Sequence, residues 1–156
     1  MKLSDFLAEG MIIPELRSRK AESSLQEMVD FLKITNRVAE DKELYAKLLE
    51  REKLGSTAIG EGVAIPHCKF AGLKNPLVML GVSRKGVDFE SVDGKPVYIF
   101  FLVIVAPEDP GSSLQILASI AHLVRKAGAL DKKILQAARP QPMLEVIRLE
   151  EQKLDE

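Results

Sequence analysis

Val97 to Ala106 reads VYIFFLVIVA and is the longest apolar run in the chain. It is about half the length that a membrane-spanning helix requires. Its β-branched and aromatic content, with Pro96 and Pro107 at its borders, reads as a strand buried on both faces. A second run, Leu77 to Ser83 (LVMLGVS), has the same character. Between them, Val87-Asp88-Phe89 and Val92-Asp93-Gly94-Lys95 form a turn-rich connection.

Outward from these strands the periodicity becomes helical. On the amino-terminal side, Ser4 to Ala8 predicts a short helix, and Met11 to Leu16 an extended segment interrupted by Pro14. Ser23 or Ser24 caps a helix to about Ile34, with Leu25, Met28, Val29 and Leu32 on one face. A second helix runs from Asp41 to about Leu54, striped by Leu44, Leu48 and Leu49 and stopped by Gly55. On the carboxyl side, helices are expected at Ser112 to Lys126, Asp131 to Ala138 and Pro142 to Leu154, the last two separated by Pro140. Leu144, Ile147, Leu149 and Leu154 fit packing on the same domain or on a partner, which leaves oligomeric state open. Helices around a central apolar sheet imply an α/β layered fold. No repeat or linker divides residues 1–156, so one domain is expected. The elements do not alternate as βαβ units, so the sheet is expected to be mixed.

Composition narrows the function. With 46% hydrophobic and 29% charged residues, the chain has the make-up of an ordinary globular protein. Lys and Arg number 22 against 23 Asp and Glu, a net charge of -1, which lacks the basic footprint of a nucleic-acid binder. Cys68 is the only cysteine, in keeping with a reducing compartment. Met1-Lys2-Leu3-Ser4-Asp5 puts an acid where a signal peptide needs apolar residues. A cytoplasmic protein without membrane insertion is expected.

Chemistry concentrates in Arg51 to Lys69, REKLGSTAIGEGVAIPHCK. Gly55, Gly60 and Gly62 permit tight turns and close backbone approach to a ligand. Ser56 and Thr57 offer hydroxyls, and backbone N–H groups in such loops cradle anions. Arg51 carries a permanent planar charge suited to phosphate. Pro66 stiffens the approach to His67. Gly60-Glu61-Gly62 begins like G-x-G-x-x-G, but position 65 is Ile, so the dinucleotide fingerprint fails. No P-loop is present, and adjacent His67 and Cys68 lack the spacing of a zinc site. The pattern is that of an anion site beside a nucleophile.

Arg51-Glu52, Gly55-Ser56-Thr57 and Gly60 through Ala64-Ile65-Pro66-His67 resemble the signature of the fructose/mannitol IIA family of the bacterial phosphotransferase system. That family includes the nitrogen-regulatory IIA proteins. The similarity continues through Val87-Asp88-Phe89, Val92-Asp93-Gly94-Lys95-Pro96 and Ala106-Pro107-Glu108-Asp109. It implies a mixed five-stranded sheet with helices on both sides. It also implies that His67 accepts a phosphoryl group from phospho-HPr, with a IIB component or regulatory target downstream. Arg51 and Thr57 are the candidates to meet the equatorial phosphoryl oxygens, with no metal or cofactor required. A neutral imidazole has the lone pair to attack phosphorus.

The chain departs from the family at one place. Relatives carry a second histidine before the leucine that opens the helix after the Pro-Glu-Asp region; here Ser113 precedes Leu114. His122 does not replace it, because nine helical residues turn the face by about 180° and rise about 13 Å. Two roles therefore stay open. One is phosphoryl transfer with Ser113 as a shorter hydrogen-bonding substitute. The other is a regulatory binding module that works without efficient transfer. A phosphohydrolase lacks a sequence-evident base or metal to activate water. Ending at Glu156 without a fused IIB or membrane segment, the sequence favours the nitrogen-regulatory branch as an expectation.

Overall fold

The computed structural model describes residues 2–155. Its strands and helices follow the order β1 (Ile12–Ile13), α1 (Ala21–Ile34), α2 (Asp41–Lys53), β2 (Ala58–Gly60), β3 (Val63–Ala64), β4 (His67–Lys69), β5 (Leu77–Val87), β6 (Val97–Val105), α3 (Pro110–Ala127), α4 (Leu130–Leu135) and α5 (Pro140–Leu154). A mixed sheet runs β1-β5-β6-β3-β2, with β4 also on β6. The fold is α/β, as the two apolar runs imply.

β5 and β6 pair antiparallel at the centre, with Leu80 beside Phe101 and Gly81 beside Phe100. Every residue of β6 except Tyr98 is buried, which explains its unbroken apolar run. β3 and β4 form one row in two pieces. Val63 stands beside Ile99, Ala64 beside Phe100 and His67 beside Val103, all parallel and without a change of register. The break falls at Pro66, which has no N–H to give the ladder. Its carbonyl still accepts from Val103 N–H at 2.9 Å. Six strand segments thus fill the five rows expected.

α1 and α2 pack on each other, and α1 on β5, while α3 packs on β6 and α5. Leu25, Met28, Val29 and Leu32 of α1 are wholly buried. Gly81 allows the close approach of α1, since a Cβ there would lie 3.2 Å from Met28 Sδ and 3.1 Å from Leu16 Cδ1. The buried apolar residues form one continuous cluster. No described helix is long and apolar enough to cross a membrane.

Several boundaries differ from the sequence expectation, each for a local reason. α1 opens at Ala21, ahead of both serines: Ser24 is buried within it, and the Ser23 hydroxyl donates to Lys20 O. The short opening helix is a single 3-10 turn, Leu3–Asp5. β5 continues past Ser83 through exposed Arg84 and Lys85 to Val87, with a register shift on the way. A bulge carries the backbone on where the apolar run has stopped. Pro140 opens α5 instead of separating it from α4, because a first-turn proline gives up no helical bond. On α5, Leu144 and Ile147 are buried, whereas Leu149 faces solvent.

Candidate functional site

The site lies along β4 at the carboxyl end of β6, where β6 hands over to α3. Ligands in α/β sheets gather at such ends. A cleft of about 480 Å³ opens there, bounded by three elements. α2 contributes Lys47, Glu50 and Arg51, with its C-cap Leu54, the i, i+3, i+4 and i+7 positions of one helical face. β4 contributes His67, Cys68 and Lys69, and the first turns of α3 contribute Ser113, Leu114 and Leu117.

His67 is half-buried at the start of β4. Its Nδ1 lies 2.7 Å from Ile65 O. A carbonyl only accepts, so Nδ1 carries the proton and Nε2 keeps the lone pair. Burial lowers the imidazole pKa, the Ile65 carbonyl opposes that shift, and the Arg51 charge adds to it. The ring is therefore neutral near pH 7, the state a nitrogen nucleophile requires.

Arg51 does two things at once. Its Nη1 donates to Gly55 O at 2.9 Å, closing the end of α2, and its side chain lines the cleft with His67. Cys68 is no rival nucleophile, because burial pushes its thiol up to about 12. α3 starts with Asp109 as cap, its carboxylate accepting from Ser112 N–H at 3.3 Å and from the Ser112 hydroxyl at 2.6 Å. Ser113 lies in the first turn of this helix, at the positive end of its dipole. His122 is exposed further along α3.

His67, Arg51 and Ser113 are thus brought to one cleft. Thr57 is not on its wall. It is 5% exposed; its N–H donates to Glu52 Oε2 at 3.0 Å, and its hydroxyl to Glu52 Oε1. The Ser56 hydroxyl is likewise engaged, donating to Phe89 O. The expectation that the glycines wrap the anion site is corrected by topology. Glu61 and Gly62, with φ of 56° and 75°, make the β2–β3 turn at the opposite end of the row from His67, as two-residue hairpins require. Gly62 sits against Asp131 and Tyr98 there.

The sequence reading missed Lys47, Glu50, Leu54 and Lys69. The signal was available for the first three, which share the face of α2 that carries Arg51. Leu54 is 82% exposed and Leu114 is 72% exposed, apolar side chains on the wall of the cleft. Among the described residues, no three His, Cys, Asp or Glu side chains gather as metal ligands.

Known proteins resemble this chain in sequence and in fold. The chain is 36% identical over 151 residues to a nitrogen regulatory protein of Bradyrhizobium diazoefficiens, covering 96% of both. It is 31% identical over 147 residues to the fructose-specific EIIABC component of Bacillus subtilis, covering 94% of this chain but 23% of that larger protein. The crystal structure of nitrogen regulatory protein IIA-Ntr from Neisseria meningitidis superposes with a TM-score of 0.81 at 25% identity, over 93% of this chain and 98% of that one. The profile of the family described as phosphoenolpyruvate-dependent sugar phosphotransferase system, EIIA 2, matches residues 5–149. The chain belongs to that phosphotransferase EIIA family.

Proposed function

We propose that this protein is a phosphoryl carrier that accepts its group on His67 Nε2 from a phospho-HPr-type donor. It then delivers the group to a IIB component or uses it to control a regulatory target. The single observation that carries this reading is the bond from Nδ1 to Ile65 O. It commits one ring nitrogen and leaves the other as a nucleophile in a cleft that Arg51 also lines.

In the transfer step the Nε2 lone pair attacks phosphorus. The Nε2–P bond forms as the P–N bond of the donor breaks, and the electron pair of that bond stays on the donor imidazole. The His67 ring then bears phosphorus on Nε2 and a proton on Nδ1, so it is formally positive. Ile65 O, accepting from Nδ1, stabilises that charge. Arg51 and the start of α3 meet the negative phosphoryl oxygens, and the Ser113 hydroxyl offers one further donor. Thr57 supports the site through Glu52 without reaching the phosphoryl group. Work in the cytoplasm suits such a donor. The nitrogen-regulatory branch is favoured over dedicated sugar transport by the 36% identity along nearly the whole Bradyrhizobium protein.

Incubation with phosphoenolpyruvate, Enzyme I and HPr tests the proposal. Acid-labile label on the wild type that vanishes in His67→Ala is the expected result. A folded wild type that takes no label overturns it. A binding module is the second reading, favoured by Leu54 and Leu114 exposed beside the cleft; it is the surviving one if unlabelled protein still binds its target.

A further inference from the structure

We propose that Glu52 is a positioning residue that sets the His67 ring and the Arg51 guanidinium in mutual register, acting through Thr57 and Ile65. The inference rests on the carrier reading above for its catalytic consequence, though not for its geometry.

The connection can be followed bond by bond. Both oxygens of the Glu52 carboxylate accept from Thr57, one from its N–H at 3.0 Å and the other from its hydroxyl. Thr57 O accepts from Ile65 N–H at 3.0 Å. Ile65 O accepts from His67 Nδ1 at 2.7 Å. Three links therefore run from the end of α2 to the ring. Each one fixes a residue whose carbonyl, on the following peptide, makes the next bond, so a shift at Thr57 passes to the carbonyl that selects the imidazole tautomer.

The same carboxylate also constrains Arg51. Glu52 and Thr57 bracket the turn that contains Gly55, and Gly55 O is the acceptor for Arg51 Nη1 at 2.9 Å. Holding the turn closed holds that acceptor, and with it the guanidinium on the cleft wall. Glu52 is half-buried, and desolvation raises its pKa while the two Thr57 donors pull it down. A partly desolvated carboxylate with both oxygens on one residue is a costly arrangement for closing a turn. Solvated backbone would close it as well.

The test uses the whole protein and three substitutions. Glu52→Gln puts an amide N–H against one Thr57 donor, Thr57→Val removes the hydroxyl at nearly constant volume, and Thr57→Ser keeps both donors. Two quantities are read: the His67 tautomer by nitrogen-15 NMR of the imidazole, and the rate and KM for labelling from phosphorylated HPr. In the wild type the ring is held with its proton on Nδ1. Glu52→Gln and Thr57→Val are expected to give a tautomer mixture and to lower kcat about tenfold with KM for the donor unchanged. Thr57→Ser is expected to restore both. A ring that keeps its wild-type tautomer and rate in folded Glu52→Gln and Thr57→Val overturns the proposal. If the wild type takes no label yet the tautomer still shifts in these variants, the positioning role stands and the carrier reading falls.

Discussion

The two ends of the β3–β4 row are both depressions with charged side chains in their walls, yet the walls differ. At the His67 end, Lys47, Arg51 and Lys69 outnumber Glu50 around a half-buried imidazole. At the hairpin end, a depression of about 390 Å³ is lined by Glu61, Asp93 and Asp131 against Lys95 and Lys132. Gly60 and Gly62 lie at the second end, and His67, the proposed nucleophile, at the first. Glycines at 60 and 62 therefore mark tight backbone geometry, while charge and the carboxyl end of β6 mark the proposed anion site. A glycine-rich loop next to a histidine in sequence need not be next to it in space, because an extended strand carries the two apart by about 3.3 Å per residue.

The sharpest way to break this comparison is to remove the nucleophile. His67→Ala is expected to reduce acid-labile labelling to background while leaving the thermal transition near that of the wild type, since the ring is only half-buried. Next in size is Arg51→Ala, expected to slow labelling by about 10²-fold, the usual cost of deleting a charged donor that meets a developing anion. Persistence of full rate in that variant would move the anion site elsewhere.

The hairpin end should respond in stability instead. Gly62→Ala forces a side chain into a φ of +75°, and its Cβ would meet Asp131 Oδ2 at 2.5 Å and Tyr98 at 3.2 Å. A loss of about 1–3 kcal/mol in urea unfolding is expected, with labelling per folded molecule unchanged. A rate defect without a stability defect would contradict the division of labour between the two ends.

Smaller effects sharpen the picture of the cleft. In the proposed transfer only the neutral ring of His67 attacks, and its pKa lies below the ordinary 6.5, chiefly through burial. The labelling rate should be flat around neutrality and fall with acid, with its midpoint below pH 6.5. Because the Arg51 charge contributes to the lowering, Arg51→Ala should move that midpoint upward, though not beyond the ordinary value. Stability follows the same sign: an imidazole with a depressed folded pKa loses stability as pH falls through the interval between the folded and unfolded values. Ser113→His, placing a second imidazole on the cleft, is expected to give the smallest change, a severalfold gain in rate. No gain would leave Ser113 without a hydrogen-bonding role in transfer.

Much of this was legible in residue order alone. Val97 to Ala106 and Leu77 to Ser83 declare two central strands, because only a strand covered on both faces is apolar at every position. The faces of α1 and α2 follow from Leu25, Met28, Val29, Leu32, Leu44 and Leu48, all buried as their spacing requires. The run ending at His67 singles out the residue proposed to carry the phosphoryl group, and its resemblance to a family gives the chemistry to look for. Element ends were less legible. Pro140 reads as a break and acts as a start, and Arg84 and Lys85 end an apolar pattern without ending a strand.

What the tertiary structure alone decided is which neighbours matter. Hydroxyls at 56 and 57 are chemically able to bind phosphate, but their donors are spent on Phe89 O and Glu52. Ser113, far off in sequence, shares the cleft with His67, because α3 begins where β6 ends beside β4. Hydrophobic periodicity is local and survives in one dimension. Hydrogen-bond partnership and the wall of a cleft depend on strand register and chain crossing, which bring distant residues within a few ångströms.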